Sequence, residues 1–411
     1  MKSHIFKTLP NGLRVFLLPY EAESVAVGFF IANGSRNESA KTAGISHFIE
    51  HMLFKGTPTR SPIDLSRTIE RRGGNFNAYT TEEMTCYYAH LPYEYLADAL
   101  DVLSDMYLNA TIPQDEFERE KRVIIEEIKM YADEPDQVAA EALQQNLFPG
   151  SMLGAPVAGS ERSLAPMTAA LLRRYLHAHY RPSNTFVVIV GNFSVDDALR
   201  EVSMRMGRFH RKVAANATLD NPFAKRVVHE ETIGKKIHQT QMALGFRTFG
   251  CDDSRKYAAT VMDAVLGRGM SSRLFQEVRE KRGLSYDISS RMLFFNDAGT
   301  FTITAGMSQE KAAETLSVVE SELRRICTKK ISRAELQRTK DFLVGNFRLS
   351  HEKIISKMFY FGSTLLAFER YIDPGEQIEG IRSVTPDDLL ATAKAIVQPC
   401  NRSLCWVVPK D

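Results

Sequence analysis

Cysteine is scarce in this sequence, and charge of neither sign is in excess. The 411 residues contain five cysteines, at positions 86, 251, 327, 400 and 405, and no CxxC pair. This odd, scattered set is typical of reduced thiols in a cytosolic protein and not of a disulfide framework. Lysine and arginine number 52 against 50 for aspartate and glutamate, a net charge of +2. Because dedicated nucleic-acid binders normally carry a basic excess, that class is disfavoured.

Long apolar runs are also missing. The longest, such as the run 185–190, are far shorter than the roughly 20 residues of a membrane-spanning helix. The N-terminal sequence MKSHIFKTLPNGLRVF lacks the apolar segment and cleavage site of a secretory signal, so we expect a cytoplasmic protein without a membrane partner. What the chain does have is an ordinary globular composition, 44% hydrophobic and 25% charged. This composition excludes disordered, collagen-like and coiled-coil chains.

A pattern of strands followed by long helices occurs twice along the chain. In the first half, strand patterns at Leu13–Leu18 and Val25–Ala32 precede helix patterns at Ala43–Phe54 and Pro62–Arg72. The second half repeats this order at Gln241–Phe246, Ser254–Leu266 and Ser272–Arg282. The segments EFEREKRVIIEEI in the first half and AELQRTKDFLVGN in the second half are also similar in sequence. An internal duplication of roughly 200 residues accounts for both observations.

The duplication predicts an α+β fold made of two α/β halves, each a mixed, largely antiparallel sheet backed by helices. We assign residues 1–208 to an N-terminal domain and residues 236–411 to a homologous C-terminal domain. The polar stretch 209–235 between them shows no clear periodicity, and we predict that it is a linker.

One segment, GISHFIEHMLFKGT at residues 44–57, has a pattern suited to metal chemistry. On a helix, His47 and His51 lie one turn apart on the same face, with Glu50 beside them. Two imidazoles at this spacing can chelate one Zn²⁺, and a neighbouring carboxylate can take a proton from zinc-bound water. The alternative is a solvated polar face. Apolar neighbours make the helix a buried one whose polar residues need partners, so this HxxEH motif predicts a metal site.

A third metal ligand is expected from elsewhere, because catalytic zinc usually has three protein ligands. The predicted helix at Gln114–Tyr131 is the best source. Glu120 and Glu127 are seven residues apart and share one face, while Glu126 is rotated by about 100°. One face with two acids suits a ligand and a carboxylate that supports another ligand. Spacing alone does not choose among these acids, and on its own it favours an ordinary exposed acidic face.

These motifs resemble those of the M16 (pitrilysin/insulinase) metallopeptidases, close to the bacterial and mitochondrial-processing-peptidase branch, over nearly the whole chain. HFIEHMLFKGT is similar to the family's zinc signature almost letter for letter. The family's third ligand lies about 76 residues beyond the second histidine, which implies Glu127 here. The resemblance further implies that Glu120 is the supporting acid and that Glu50 is the general base. The metal ligands would then be His47, His51 and Glu127.

A second segment, GGNFNAYTTEEMTCYYAHL, resembles the strand pair that receives the substrate in this family. The resemblance implies that Asn77 and Ala78 bind the substrate. An extended peptide can satisfy its backbone hydrogen bonds on an open strand edge, so its own sequence matters little. A plain hairpin explains the same residues equally well without the resemblance.

A third segment, GRGMSSRLFQEVREKRGLSYDIS, resembles the part of the second half that contributes an arginine and a tyrosine to the family's active site. These map to Arg279 and Tyr286, with Phe275 one helical turn before the arginine. Either Arg279 or Tyr286 could hold a substrate carbonyl and the developing oxyanion. Without the resemblance, an exposed ion pair is the simpler explanation of Arg279.

The second half is predicted to lack a metal site of its own. Aligning Gly28 with Gly245 places residues of other types opposite the first-half triad: Ala264, Gly267 and Arg268. The match of Lys121 with Lys340 places Asn346 opposite Glu127. One zinc ion per chain follows.

The sequence therefore predicts a zinc-dependent endopeptidase that hydrolyses unfolded peptides or presequence-like segments. At this length the chain resembles half of the large single-chain family members, which implies a homodimer or a heterodimer with a paralogue. One alternative is a non-catalytic scaffold or assembly subunit of the same fold, which the intact HxxEH motif disfavours. The other is a metal-binding protein without hydrolase activity.

Overall fold

The computed structural model describes residues 4–211 and 219–410. These residues form two compact units. The first unit contains the residues up to Ile128, the range 155–219 and Leu349–Tyr371, and the second contains Lys129–Gly154, Asp220–Arg348 and the residues from Ile372 onward. Each unit thus takes one segment from the other half of the sequence, unlike the contiguous ranges 1–208 and 236–411 expected from the repeat.

The strands and helices follow one another in the order that the repeat predicts, with further elements between them. The strands are β1 Ile5–Thr8, β2 Arg14–Pro19, β3 Ser24–Ile31, β4 Asn75–Thr80, β5 Thr85–Pro92, β6 Thr185–Gly191, β7 Glu230–Lys235, β8 Thr240–Phe249, β9 Asp287–Phe294, β10 Ala298–Met307 and β11 Arg402–Pro409. The helices are α1 Ile45–Leu53, α2 Pro62–Glu70, α3 Leu96–Asn109, α4 Gln114–Asp133, α5 Pro135–Leu147, α6 Glu161–Leu164, α7 Ala169–His179, α8 Val195–Met206, α9 Lys256–Gly267, α10 Ala312–Thr328, α11 Arg333–Ser350, α12 Ile354–Phe368, α13 Pro374–Ser383 and α14 Pro386–Ile396. No helix in these described ranges combines the length and apolar character that a bilayer span requires.

Each unit contains one mixed sheet, and the two sheets share one pairing scheme. The first has the order β1-β2-β6-β3-β5-β4 and the second β7-β11-β8-β10-β9. In both, a parallel pair (β2 with β6, β7 with β11) is followed by antiparallel pairs. The predicted α+β fold with mixed, largely antiparallel sheets backed by helices is therefore confirmed.

Strand β3 shows why the first sheet is covered on both faces. Side chains alternate along a strand, so Val27 and Phe29 point to opposite sides from Ala26 and Phe30. The first pair belongs to the large core of the unit, and the second pair packs in a separate apolar cluster that includes Met358 of α12. Seven of the eight residues of β3 are buried, which is why its sequence reads as a nearly continuous apolar run.

Helix α5 covers the outer face of the second sheet in the same way. Its residues Ala139, Leu143 and Leu147 lie in one apolar cluster with Ala243 and Val407 of the sheet. The exchange of α5 and α12 between the sequence halves therefore follows from packing, because each sheet buries its outer apolar face against a helix from the other half.

Two segments differ locally from the sequence expectation. The helix predicted at Ser272–Arg282 includes a π-helical segment, Phe275–Glu280. Within the predicted linker 209–235, residues 212–218 lie outside the described residues, and Glu230–Lys235 forms the edge strand β7. This strand is largely exposed, so it carries little of the apolar alternation from which strands are recognised.

Candidate metal centre

Helix α1 carries the HxxEH motif, and its start is fixed by a tight turn. Gly44 precedes it with φ of 93°, and a Cβ at this position would lie 2.5 Å from the carbonyl oxygen of Ala158. Both features require glycine. The buried carboxylate of Glu38 accepts hydrogen bonds from the backbone N–H groups of Gly44 and Ser46, each 2.7 Å long. These bonds satisfy donors that a helix start otherwise leaves unpaired, so α1 is anchored one residue before His47.

His47, His51 and Glu127 bring three metal-ligating atoms together within the first unit. The ligating atoms of these side chains lie within 4.8 Å of one another. Glu127 Oε2 is 3.9 Å from His47 Nε2 and 3.6 Å from His51 Nε2. These distances are too long for hydrogen bonds. They are close to the separation of about 3.3 Å between ligands that surround a zinc ion tetrahedrally at about 2 Å each.

The chemistry of these donors also fits zinc. Two histidines and one glutamate form a ligand set found in catalytic zinc sites, with a fourth position left open. Burial, together with the neighbouring His51, lowers the pKa of His47 to about 4. The His47 imidazole is therefore neutral at neutral pH, as metal ligation requires. In residues 4–211 and 219–410 this is the one such group of three ligating side chains.

Glu120 supports His51 from the side away from Glu127. His51 Nδ1 is 3.0 Å from Glu120 Oε2, which leaves Nε2 on the side of Glu127. Lys55 Nζ lies 2.5 Å from the other oxygen of Glu120. Burial alone would raise the pKa of Glu120, but the hydrogen bond to His51 and the contact with Lys55 lower it. An ionised Glu120 therefore orients the imidazole, as the carboxylates behind zinc-bound histidines do.

Sequence reasoning missed Lys55, which contacts Glu120. It lies in the turn after α1, four residues beyond His51. The Lys55 side chain is 24% exposed and that of Glu120 is 7% exposed, so the ion pair is largely shielded from solvent.

Replacing Lys55 with methionine should weaken zinc binding by about tenfold, because loss of an outer partner typically lowers metal affinity 10- to 100-fold. Methionine keeps the apolar stem but cannot donate to Glu120. The affinity can be measured by competition with a chromophoric chelator. Lys55→Arg should retain most of the affinity, and Lys41→Met, at an exposed position, should change nothing. An unchanged affinity in Lys55→Met would contradict the role assigned to this ion pair.

Glu50 lies on α1 beside the histidines but is not one of the three converging donors. Burial raises the pKa of its carboxyl group, and a hydrogen bond from Thr80 opposes this effect. The Thr80 hydroxyl donates to Glu50 Oε2 at 2.6 Å. Sequence reasoning missed Thr80, although this last residue of β4 lies in the segment that resembles the family's strand pair.

Strand β4, which carries Asn77 and Ala78, lies at an edge of the first sheet. It pairs with β5 on one side. The backbone N–H of Ala78 donates to the side-chain Oδ1 of Asn77 at 2.8 Å. Open strand edges are places where an extended peptide can add to a sheet. The part of Asn77 and Ala78 in substrate binding stays a prediction.

Phe275, Arg279 and Tyr286 belong to the second unit, and Arg279 contacts both aromatic rings. The guanidinium carbon of Arg279 lies 4.8 Å from the ring centre of Phe275 and 4.7 Å from that of Tyr286. These are cation–π contacts. Tyr286 is 80% exposed, so its ring and hydroxyl are available to a ligand. The part of these residues in substrate binding stays a prediction.

Comparison with known protein families gives two matches that together cover most of the chain. Residues 15–161 match the model described as insulinase (peptidase family M16), and this range includes His47, His51 and Glu127. Residues 166–343 match the model of the peptidase M16 inactive domain.

Individual proteins are similar over nearly their full length. The chain is 35% identical to the uncharacterized zinc protease YmxG of Bacillus subtilis, over 95% of this chain and 94% of that protein. It is 33% identical to an uncharacterized zinc protease of Rickettsia felis, over 96% and 95% of the two chains. Among solved structures, a protease from Helicobacter pylori superposes with a TM-score of 0.93 at 20% identity, over 99% of both chains. This last likeness concerns the fold alone.

Proposed function

This chain belongs to the insulinase family of peptidases, family M16, and we propose that it is a zinc-dependent endopeptidase acting on unfolded peptides or presequence-like segments. The convergence of ligating atoms from His47, His51 and Glu127 carries the proposal. The names of the relatives as zinc proteases agree with it. We propose one zinc ion per chain, held by these three side chains.

The residues around this site support a hydrolytic reaction. Zinc bound there would make a water molecule more acidic and polarise a peptide carbonyl. Glu50 accepts the proton of the attacking water and delivers it to the departing amine, as a general base and then a general acid. Its buried position disfavours the charged carboxylate, so protonation during the reaction is readily accommodated. Glu120 holds His51 in the orientation that keeps Nε2 beside Glu127.

Substrate binding is assigned to the edge of β4 and to three residues of the second unit. A peptide would add to β4 as a further strand beside Asn77 and Ala78, with main-chain hydrogen bonds supplying most of the affinity. Only an extended, unfolded segment can offer its backbone in this way. Arg279 or Tyr286 is proposed to bind a substrate carbonyl, with Phe275 packed against Arg279.

The match to YmxG covers 94% of that protein. A cytoplasmic homodimer, or a heterodimer with a paralogue, is the proposed assembly. Sedimentation velocity on the purified protein would show whether it associates with itself.

The test of the proposed activity is cleavage of a basic, unstructured peptide, followed by mass spectrometry. Cleavage should stop when a chelator removes the metal and should return when zinc is restored. The cut sites would give the sequence preference. Bound zinc without cleavage of any peptide in a diverse library would favour the non-catalytic alternative. Absence of both zinc and cleavage would overturn the proposal.

A further inference from the structure

We propose that Thr80 is a positioning residue for the general base: its hydroxyl fixes the Glu50 carboxylate and ties it to the strand assigned to substrate binding. This inference rests on the proposed function, because it concerns the orientation of the base and not its identity. Neither the family matches nor the HxxEH motif assigns Thr80 a role.

The hydrogen bond itself is of the strong kind. The distance of 2.6 Å between Thr80 Oγ1 and Glu50 Oε2 falls in the range of hydroxyl-to-carboxylate bonds. In the described ranges, the Glu50 side chain makes no other hydrogen bond, so this contact alone fixes the rotation of its carboxylate. The branched side chain of Thr80 has few accessible rotamers, which makes it a stiff donor. One carboxylate oxygen is thus held, and the other stays available for a water molecule.

The turn that follows Thr80 is fastened to the loop that precedes α1. The carbonyl of Thr81 accepts from the N–H of Ser35 at 3.1 Å, and the carbonyl of Glu82 accepts from that of Arg36 at 2.7 Å. A Cβ at Gly34 would lie 2.3 Å from the Thr81 carbonyl oxygen, so this close approach requires glycine. The Thr80 hydroxyl is therefore held by a turn that is bonded firmly to the loop before α1.

The acceptor, the Glu50 carboxylate, is held by the same loop. Glu50 is on α1, and the start of α1 is anchored by Glu38, which follows directly on the loop that holds the turn. Asn77 and Ala78 lie on the strand that ends at Thr80. A peptide added to this strand would therefore lie at a fixed distance from the Glu50 carboxylate and in a fixed orientation to it. A displacement of a catalytic group by about 1 Å can lower a reaction rate by about 100-fold. The position of the Glu50 carboxylate relative to the peptide should therefore affect the rate strongly.

The test compares Thr80→Val with Thr80→Ser in the full-length zinc-loaded protein. Valine keeps the shape and removes the donor, while serine keeps the donor. We expect kcat of Thr80→Val to fall by about 10- to 100-fold, with KM and zinc content close to wild type. Thr80→Ser should recover kcat to within about threefold, since the hydrogen bond is restored. Thr68→Val serves as the matched control, because the Thr68 hydroxyl only donates to a carbonyl within α2.

The outcomes separate this inference from the proposed function. Wild-type protein that cleaves no peptide refutes the function itself. An active wild type with an unchanged kcat in folded Thr80→Val overturns the role of Thr80. Loss of zinc or an increase in KM with constant kcat would also overturn it, since these would show a structural effect. If Thr80→Val does not fold, Thr80→Ala takes its place with the same expected loss of kcat, and full activity there overturns the proposal.

Discussion

Replacing Glu50 with glutamine should reduce peptide cleavage by at least about 100-fold, and by up to about 10⁴-fold, while the protein still binds zinc. Glutamine has the shape of glutamate and can still accept the hydrogen bond from Thr80. It cannot take a proton from water at neutral pH. Because Glu50 is not among the three converging donors, its replacement should leave the metal in place.

The measurement is kcat on an unstructured peptide, with zinc content determined on the same preparation. Glu70→Gln, at an exposed position at the end of α2, makes the same chemical change away from the site and should keep full activity. Glu50→Gln protein that is zinc-loaded and retains more than about a tenth of the wild-type rate would refute the role of Glu50 as general base.

Replacing Glu127 with glutamine should lower zinc affinity by more than about 100-fold, which exceeds the usual loss when only an outer partner is removed. The neutral amide is a poor zinc ligand. Without the charged carboxylate, only the two imidazoles hold the ion. Activity should fall in parallel, but free zinc at high concentration should restore part of it. This partial rescue distinguishes a ligand from a general base.

The neighbouring Glu126 provides the matched control for this change. It lies on the same helix but is not part of the converging group, so Glu126→Gln should keep the wild-type affinity. Glu120→Gln should show an intermediate loss, because it weakens the support of His51 without removing a ligand. Competition with a chromophoric chelator measures all three variants. A larger loss in Glu126→Gln than in Glu127→Gln would show that the ligand has been misassigned.

The helical part of the site is predictable from the sequence because it depends on local spacing. Residues four apart on a helix must share a face, so His47 and His51 could be paired before the fold was known. Glu127 is a different case. Helical geometry places it on one face with Glu120, but no local sequence pattern shows that α4 packs against α1. Spacing also left Glu126 as an alternative third ligand. Family resemblance selected Glu127, and the structure brings it to the histidines.

The supporting contacts lay beyond the reach of sequence reasoning for the same physical reason. Thr80 and Glu50 are 30 residues apart, and Lys55, in the turn after α1, meets Glu120 of another element, α4. Serine, threonine and lysine are common at surfaces, so their types alone do not indicate a partner. Only the tertiary packing of β4 and α4 against α1 assigns these side chains their roles.

The sequence also does not show which sheet α5 and α12 pack against. An amphipathic helix shows that it buries one face but not which sheet it covers. Contiguous halves were therefore the simplest reading of a duplicated sequence. The structure instead assigns Lys129–Gly154 to the second unit and Leu349–Tyr371 to the first.

This exchange of helices has a consequence for the order of events during synthesis. The first sheet is made from residues that leave the ribosome early, but Met358 and Phe361, which cover its outer face, emerge nearly 170 residues after β6. Phe16, Phe30 and Phe186 of that face must stay exposed to solvent or to a chaperone until then. A fragment ending near residue 208 would keep this face uncovered permanently and should aggregate. The first unit can thus complete its core only after residues 349–371 have been synthesised.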